Sequence, residues 1–208
     1  MIENDSIIQQ VFEKITKPAI LISRDDFKSN PSIVPADCGV YAWFFRSFPS
    51  SWIESAHGNH DATTVMYIGI SPDRSASNSN LRKRIRQHFT SNASGSTLRL
   101  TLGLLLYESG ISSFPLRRVG DGRRKTFTHE GEQFLDMWMT RNAFVTWVPH
   151  SKPWDIEGDL ISKIAPPLNI QNNSFSAISR KISELRKVSS LRANQLPIVD
   201  QSGGKRGS

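Results

Sequence analysis

Apolar residues along this chain follow two rhythms. The helical one comes first: Ile7, Ile8, Val11, Phe12 and Ile15 predict an amphipathic helix over residues 5–16, with Asp5 or Ser6 as its cap. Two short runs then break the period. Cys38-Gly39-Val40-Tyr41 and Met66-Tyr67-Ile68-Gly69-Ile70 are almost continuously apolar, each carries a tyrosine and a glycine, and both read as strands. From Asn80 the helical spacing returns, with Leu81, Ile85 and Phe89 as a buried stripe and Arg84 and His88, four apart, on its flank. Ser94-Gly95-Ser96-Thr97 supplies a turn and a cap for a helix over residues 98–107 that is apolar nearly all round and interrupted only by Arg99.

The second half of the chain alternates more. Residues 114–128 change polarity around Gly120-Asp121-Gly122, a hairpin signal, and carry Arg117, Arg118, Arg123, Arg124 and Lys125. A helix over residues 130–142 has Phe134, Met137 and Trp138 as its apolar face, and residues 144–148 read as a core strand. Trp138 and Trp147 are expected as core anchors. Ile156, Leu160 and Ile164 mark a helix over residues 154–164 that Pro166-Pro167 must end. A last helix, residues 177–192, pairs Ile178, Ile182, Leu185 and Leu191 with the cations Arg180, Lys181, Arg186, Lys187 and Arg192. Two stretches lack period. Residues 46–63, rich in Ser, His, Asn and Gly, are too long for a tight turn and read as a surface loop. The tail from residue 195 is expected to be disordered.

Length and charge narrow this picture. The 208 residues suit one well-buried domain with additions, and a formal net charge of +7 favours an acidic partner, of which nucleic acid is the commonest. No apolar run approaches the roughly 18 residues of a membrane span, and the first residues resemble no signal peptide, so no membrane partner and a cytoplasmic location are expected. The single cysteine, Cys38, has no partner for an internal disulfide and no adjacent base, and is expected to pack beside the first strand. His57 and His60 in the long loop invite a metal reading, but with no further ligand nearby a solvated loop is the better account.

The order of the chemistry-bearing residues carries more information than any one of them. Gly39-Val40-Tyr41 and Tyr67-Ile68-Gly69, then Arg84 and His88 on one helical face, then Glu157, and Asn169 twelve residues later in Pro166-Pro167-Leu168-Asn169, resemble the signature of the GIY-YIG nuclease superfamily. Valine replaces isoleucine in the first half of the motif, and the glutamate-to-asparagine spacing is that of the excision-repair and restriction branches. The resemblance covers residues 38–170. It implies an α+β fold: a small, mainly antiparallel three-stranded sheet flanked by helices, here with an extra basic hairpin and a C-terminal helix. The expected organisation is an N-terminal helical addition (1–34) and a nuclease-like domain (35–173) with insertions at about 46–63 and 110–128. A basic amphipathic helix (174–194) and a disordered tail (195–208) follow.

The same resemblance implies a metal-dependent endonuclease acting on phosphodiester bonds through Tyr41, Tyr67, Arg84, His88, Glu157 and Asn169. Glu157, the only signature carboxylate, would hold one hydrated divalent cation, Mg2+ or Mn2+, in a single-metal site. Arg84 would neutralise the scissile phosphate, and Tyr41 is the candidate base, although a phenol with an ordinary pKa near 10 needs help from His88 or the metal. Tyr67 would orient water or phosphate. Asn169, a neutral amide, either fixes the loop after the Glu157 helix or donates to a phosphate. Arg99, the five hairpin cations, and Arg180, Lys181, Arg186 and Lys187 are candidates for gripping nucleic acid, with solvated or locally paired side chains as the competing account. DNA is the favoured substrate, in restriction, defence or repair. A non-hydrolytic nucleic-acid-binding module on the same scaffold and an RNA-directed nuclease are the alternatives.

Overall fold

Every residue of the stretch Gly39–Phe45 is buried, which is why its sequence is a continuous apolar run instead of an alternating one. It is the central strand of the fold. The structure, a computed structural model, describes residues 2–47 and 64–199 together with Pro49, Ser51 and Ile53. The loop carrying His57 and His60 lies outside the described residues.

Six strands and seven α-helices are present among the described residues. The strands are β1 (Ile22–Ser23), β2 (Gly39–Phe45), β3 (Tyr67–Ser71), β4 (Arg117–Val119), β5 (Arg124–Thr126) and β6 (Ala143–Pro149). The helices are α1 (Ile2–Thr16), α2 (Arg24–Ser29), α3 (Leu81–Thr90), α4 (Thr97–Glu108), α5 (Thr128–Asn142), α6 (Glu157–Ile164) and α7 (Ala177–Gln195). The main sheet is antiparallel with strand order β1-β6-β2-β3. It has four strands where three were expected, because the two-residue β1 is too short to show any period in the sequence. The expected basic hairpin is the separate β4–β5 pair, closed through Gly120 and Gly122, whose positive φ angles of 62° and 82° suit glycine.

The sheet has two covered faces. Tyr41, Trp43, Phe45 and Val145 join one core with Leu81, Ile85 and Phe89 of α3, the leucines of α4, Leu135 and Trp138 of α5, and Ile182 of α7. Val40, Ala42, Phe44, Ile68 and Val148 join a second core with Ile8, Val11 and Ile15 of α1 and Leu160 and Ile161 of α6. The result is an α+β fold with helices on both sides of an antiparallel sheet. Its edge strands are β1 and β3. The β3 edge is finished by the loop after α6, where the Leu168 N–H donates to the Met66 carbonyl at 3.0 Å.

Several details differ from the sequence pattern. Helix α1 runs upstream of Asp5 and Ser6, which lie exposed within it. Met137 and Leu191, expected on buried faces, are 55% exposed each; Leu135 and Met139 of α5 and Ser189 and Ala193 of α7 face inward instead. Pro153–Asp155 forms a 3-10 turn, so α6 begins at Glu157 itself, and Ala165, in the left-handed region at φ 50°, ends it ahead of the two prolines. The segment after α7, expected to be disordered from residue 195, lies against the hairpin: the Val199 N–H donates to the Arg118 carbonyl at 2.9 Å, and Val199 bridges Val119. Among the described residues no helix is long and apolar enough to cross a membrane.

Candidate active site

Strand register sets up the site. Tyr41 stands opposite Gly69 and Trp43 opposite Tyr67, so both tyrosines rise from the same face of the sheet. The Tyr41 ring lies across Gly69, where a β-carbon would collide with its hydroxyl and ring carbons. Gly39 is needed for a similar reason, since a β-carbon there would run into the Val148 carbonyl of the neighbouring strand. Helix α3, capped by the Asn80 side chain on Lys83 N–H at 2.9 Å, crosses this face and lowers its Leu81, Ile85 and Phe89 stripe into the core. Arg84 and His88 are thereby carried to Tyr41.

A chain of hydrogen bonds results. Arg84 Nε donates to the Tyr41 hydroxyl oxygen at 3.4 Å, and that oxygen lies 2.8 Å from His88 Nε2. His88 Nδ1 lies 2.7 Å from Ser96 Oγ, which also accepts the Arg99 N–H at 3.2 Å as the cap of α4. With the arginine donating into the phenol oxygen, donors and acceptors balance when the Tyr41 proton points at Nε2 and Nδ1–H donates to Ser96. Burial pushes the Tyr41 pKa well up, neighbouring Tyr67 adds to this, and Arg84 opposes it. Burial, then Arg84 and Arg99, hold His88 well below its ordinary value, so the imidazole is neutral near pH 7. His88 is fully buried behind Tyr41. It therefore supports the phenol from the core side, and does not line the cleft as its place on the helix flank suggested.

Glu157 arrives from the other layer. Helix α6 packs on the opposite face of the sheet, and its first residue reaches round the β3 edge into a cleft of about 360 Å³ lined by Tyr41, Tyr67, Asp73, Arg84, Gln87 and Glu157. Burial raises the Glu157 pKa above 4.5, Asp73 raises it further, and Arg84 opposes. No side chain hydrogen-bonds to its carboxylate, or to the Tyr67 hydroxyl, among the described residues. A half-buried carboxylate with raised pKa and free lone pairs, facing a cleft, fits a divalent cation with oxygen ligands. No group of three or more His, Cys, Asp or Glu suited to a metal occurs among the described residues. Glu157 would hold such an ion largely through water.

The remaining predicted residues divide. Asn169 turns both amide atoms on one backbone unit: Oδ1 accepts the Ile68 N–H and Nδ2 donates to the Ile68 carbonyl, each at 2.8 Å. It completes the β3 edge as a neighbouring strand would, and so positions the wall that carries Tyr67. Arg99 was a candidate phosphate ligand, and the structure corrects this. It is fully buried, with ion pairs to Glu132 at 2.9 Å and Asp136 at 2.7 Å and long bonds to the His88 and Phe89 carbonyls. Arg117 and Arg118 are also not free to grip a backbone, because they donate to the Pro197 and Leu196 carbonyls and fasten the end of α7. Lys125 donates to Ser190 of α7, while Arg123 and Arg124 are exposed. Arg180 turns back on the Ser174 and Phe175 carbonyls, and Lys181 and Lys187 are exposed away from the cleft lining.

Three site residues escaped the sequence analysis. Gln87 accepts from Arg84 at 2.7 Å and donates to the Gly95 carbonyl at 2.6 Å, which holds the guanidinium in place; its position three residues after Arg84 on one helix was the available signal. Ser96 was assigned only as a helix cap. Asp73, two residues beyond β3, has no motif to mark it. The sequence matches the family described as the GIY-YIG catalytic domain over residues 39–188, a span containing every residue of the Tyr41, Arg84, His88 and Glu157 cluster. Comparison with curated proteins and with solved structures returns no match. Since the matched span covers most of the chain, and Tyr41, Tyr67, Arg84 and Glu157 of the signature meet in one cleft, this protein belongs to the GIY-YIG family of nuclease domains.

Proposed function

We propose that this protein is an endonuclease that hydrolyses DNA phosphodiester bonds with the help of Mg2+. The observation that carries the proposal is the convergence, in one cleft, of Arg84, two tyrosines and an unpartnered carboxylate supplied from the opposite side of the sheet. Bound at Glu157, the cation would supply positive charge for the phosphate and for the departing 3′ oxygen. Arg84, fixed by Gln87, would face the scissile phosphate and balance the charge that gathers on it. Tyr67, with its hydroxyl free, would orient water or phosphate from the neighbouring strand.

Tyr41 cannot work as a preformed phenolate, because its burial stabilises the neutral phenol. Its geometry supports a relay instead. The attacking water gives its proton to the Tyr41 oxygen as the Tyr41 proton passes to His88 Nε2, while the new P–O bond forms and the bond to the 3′ oxygen breaks. The depressed pKa that keeps His88 neutral also makes it a weak acceptor. Negative charge accumulating on the phosphate beside Arg84 offsets that cation's field at the imidazole and makes the transfer easier.

The test is incubation of purified protein with duplex DNA, single-stranded DNA and RNA, with Mg2+ or chelator, beside Glu157→Gln. Cleavage of DNA that needs Mg2+ and is lost in the variant is expected. Cleavage of RNA alone would reassign the substrate, and binding without cleavage in any condition would make the protein a non-hydrolytic module.

A further inference from the structure

Beside the cleft runs a larger groove, about 610 Å³, between the start of α4, the β4–β5 hairpin and α7. The two adjoin, since Arg84 and Thr97 line both. Five of the groove's lining side chains are cations: Arg84, Arg123, Arg124, Lys125 and Arg186. Among the described residues that line it, none is acidic and none is aromatic. The cleft, by contrast, contains Asp73 and Glu157.

Arg186 lines both this groove and a smaller space of about 310 Å³ that shares Tyr67, Thr97, Glu157 and Gln171 with the cleft. It donates to the Thr97 carbonyl at 2.9 Å and to Thr101 Oγ1. Among the described residues no carboxylate is within ion-pair distance of it. Burial lowers its pKa, although an arginine remains charged. A half-buried guanidinium held in position by neutral oxygens and lacking a counter-charge is a site for an anion from outside the chain. Arg123, whose contact with Asp121 is a loose exposed pair at 3.6 Å, and Arg124 continue the positive charge to the groove's outer end.

We infer that the groove carries the sugar-phosphate backbone of the nucleic acid away from the cleft, with Arg186 taking a phosphate next to the scissile one and Arg123 and Arg124 taking phosphates beyond it. This rests on the cleft being a phosphodiester site. With no aromatic side chain to stack on bases, the groove grips through charge alone, so its contribution is independent of sequence and sensitive to salt.

The test measures binding of a long DNA duplex to Glu157→Gln protein across a series of salt concentrations. Adding Arg123→Gln and Arg124→Gln, both at exposed positions, should lower the slope of log affinity against log salt by about 1.8, and Arg186→Met by about a further 0.9. The loss should be the same for unrelated sequences. Lys14→Gln with Lys17→Gln, on or just beyond α1 across the sheet, is the charge-matched control and should leave the slope near that of the parent. An unchanged slope in the Arg123/Arg124 variant, or an equal fall in the control, overturns the proposal. If wild-type protein cleaves nothing yet the slopes fall as expected, the groove stands and the nuclease reading fails. If wild-type protein cleaves and the slopes do not move, the reverse holds.

Discussion

Tyr41 lies between a cation that favours its ionisation and a buried setting that opposes it, and burial is the larger influence. Its value to the site is therefore the position of one oxygen between Arg84 and His88. Tyr41→Phe keeps the ring across Gly69 and removes only that oxygen, so single-turnover cleavage should slow about 10²–10⁴-fold with DNA binding nearly unchanged; a wild-type rate would place the proton acceptor elsewhere. Glu157 leads to a pH effect. If Glu157 holds the proposed cation, a proton and that cation would compete for the same carboxylate, and its pKa is raised, so Mg2+ affinity should weaken on acidification at a higher pH than an exposed glutamate would show. Calorimetric titration at several pH values checks this, and an affinity constant down to pH 4.5 would remove Glu157 as the ligand.

Among the elements, β2 and β3 were the most legible in the sequence. Their apolar runs and glycines identified them, and pairing Tyr41 with Gly69 shows what the second glycine does: it provides the space in which the tyrosine ring lies. Gly69→Ala should cost about 1–3 kcal/mol in urea denaturation and reduce cleavage, since the ring must leave its position between Arg84 and His88. Unaltered stability and rate would mean that the strands separate enough to admit the methyl group. Helix α3 was equally legible, because a stripe at four-residue spacing gives both its existence and its buried side. Strand β1 was not, and the inward face of α7 was legible only in part: Ile182 is buried with Ile178 and Leu185 packed beside it, as the stripe predicts, but Ser179, Ser189 and Ala193 fill the other inward positions.

At the scale of the whole molecule, a buried charge cluster ties the layer above the site together. Arg99 of α4 pairs with Glu132 and Asp136, four apart on α5, and Asp136 also pairs with Arg24 at 3.0 Å. Glu132 in turn accepts the Ala93 N–H at 2.9 Å. Arg99→Met would take the buried cation away from Glu132 and leave Asp136 with Arg24 alone, and should destabilise the fold by about 3–5 kcal/mol in denaturant titration; a loss below about 1 kcal/mol would show that the cluster is dispensable. Such pairing is decided across helices, so a lone arginine in an apolar helix looks the same in sequence whether it faces a phosphate or a buried carboxylate. The same limit applies to the hairpin, whose five cations are equivalent in sequence but divide in space into those that fasten α7 and its tail and those left to solvent. What the sequence determined by itself was local: period, caps, turn glycines, and the order of Tyr41, Tyr67, Arg84, His88 and Glu157. Only the tertiary structure decided that Glu157 reaches the cleft from the opposite layer, that Asn169 closes the edge of β3, and which cations remain unpaired. Periodicity reports which side of an element is apolar, whereas a counter-charge is supplied by another element whose distance along the chain carries no signal.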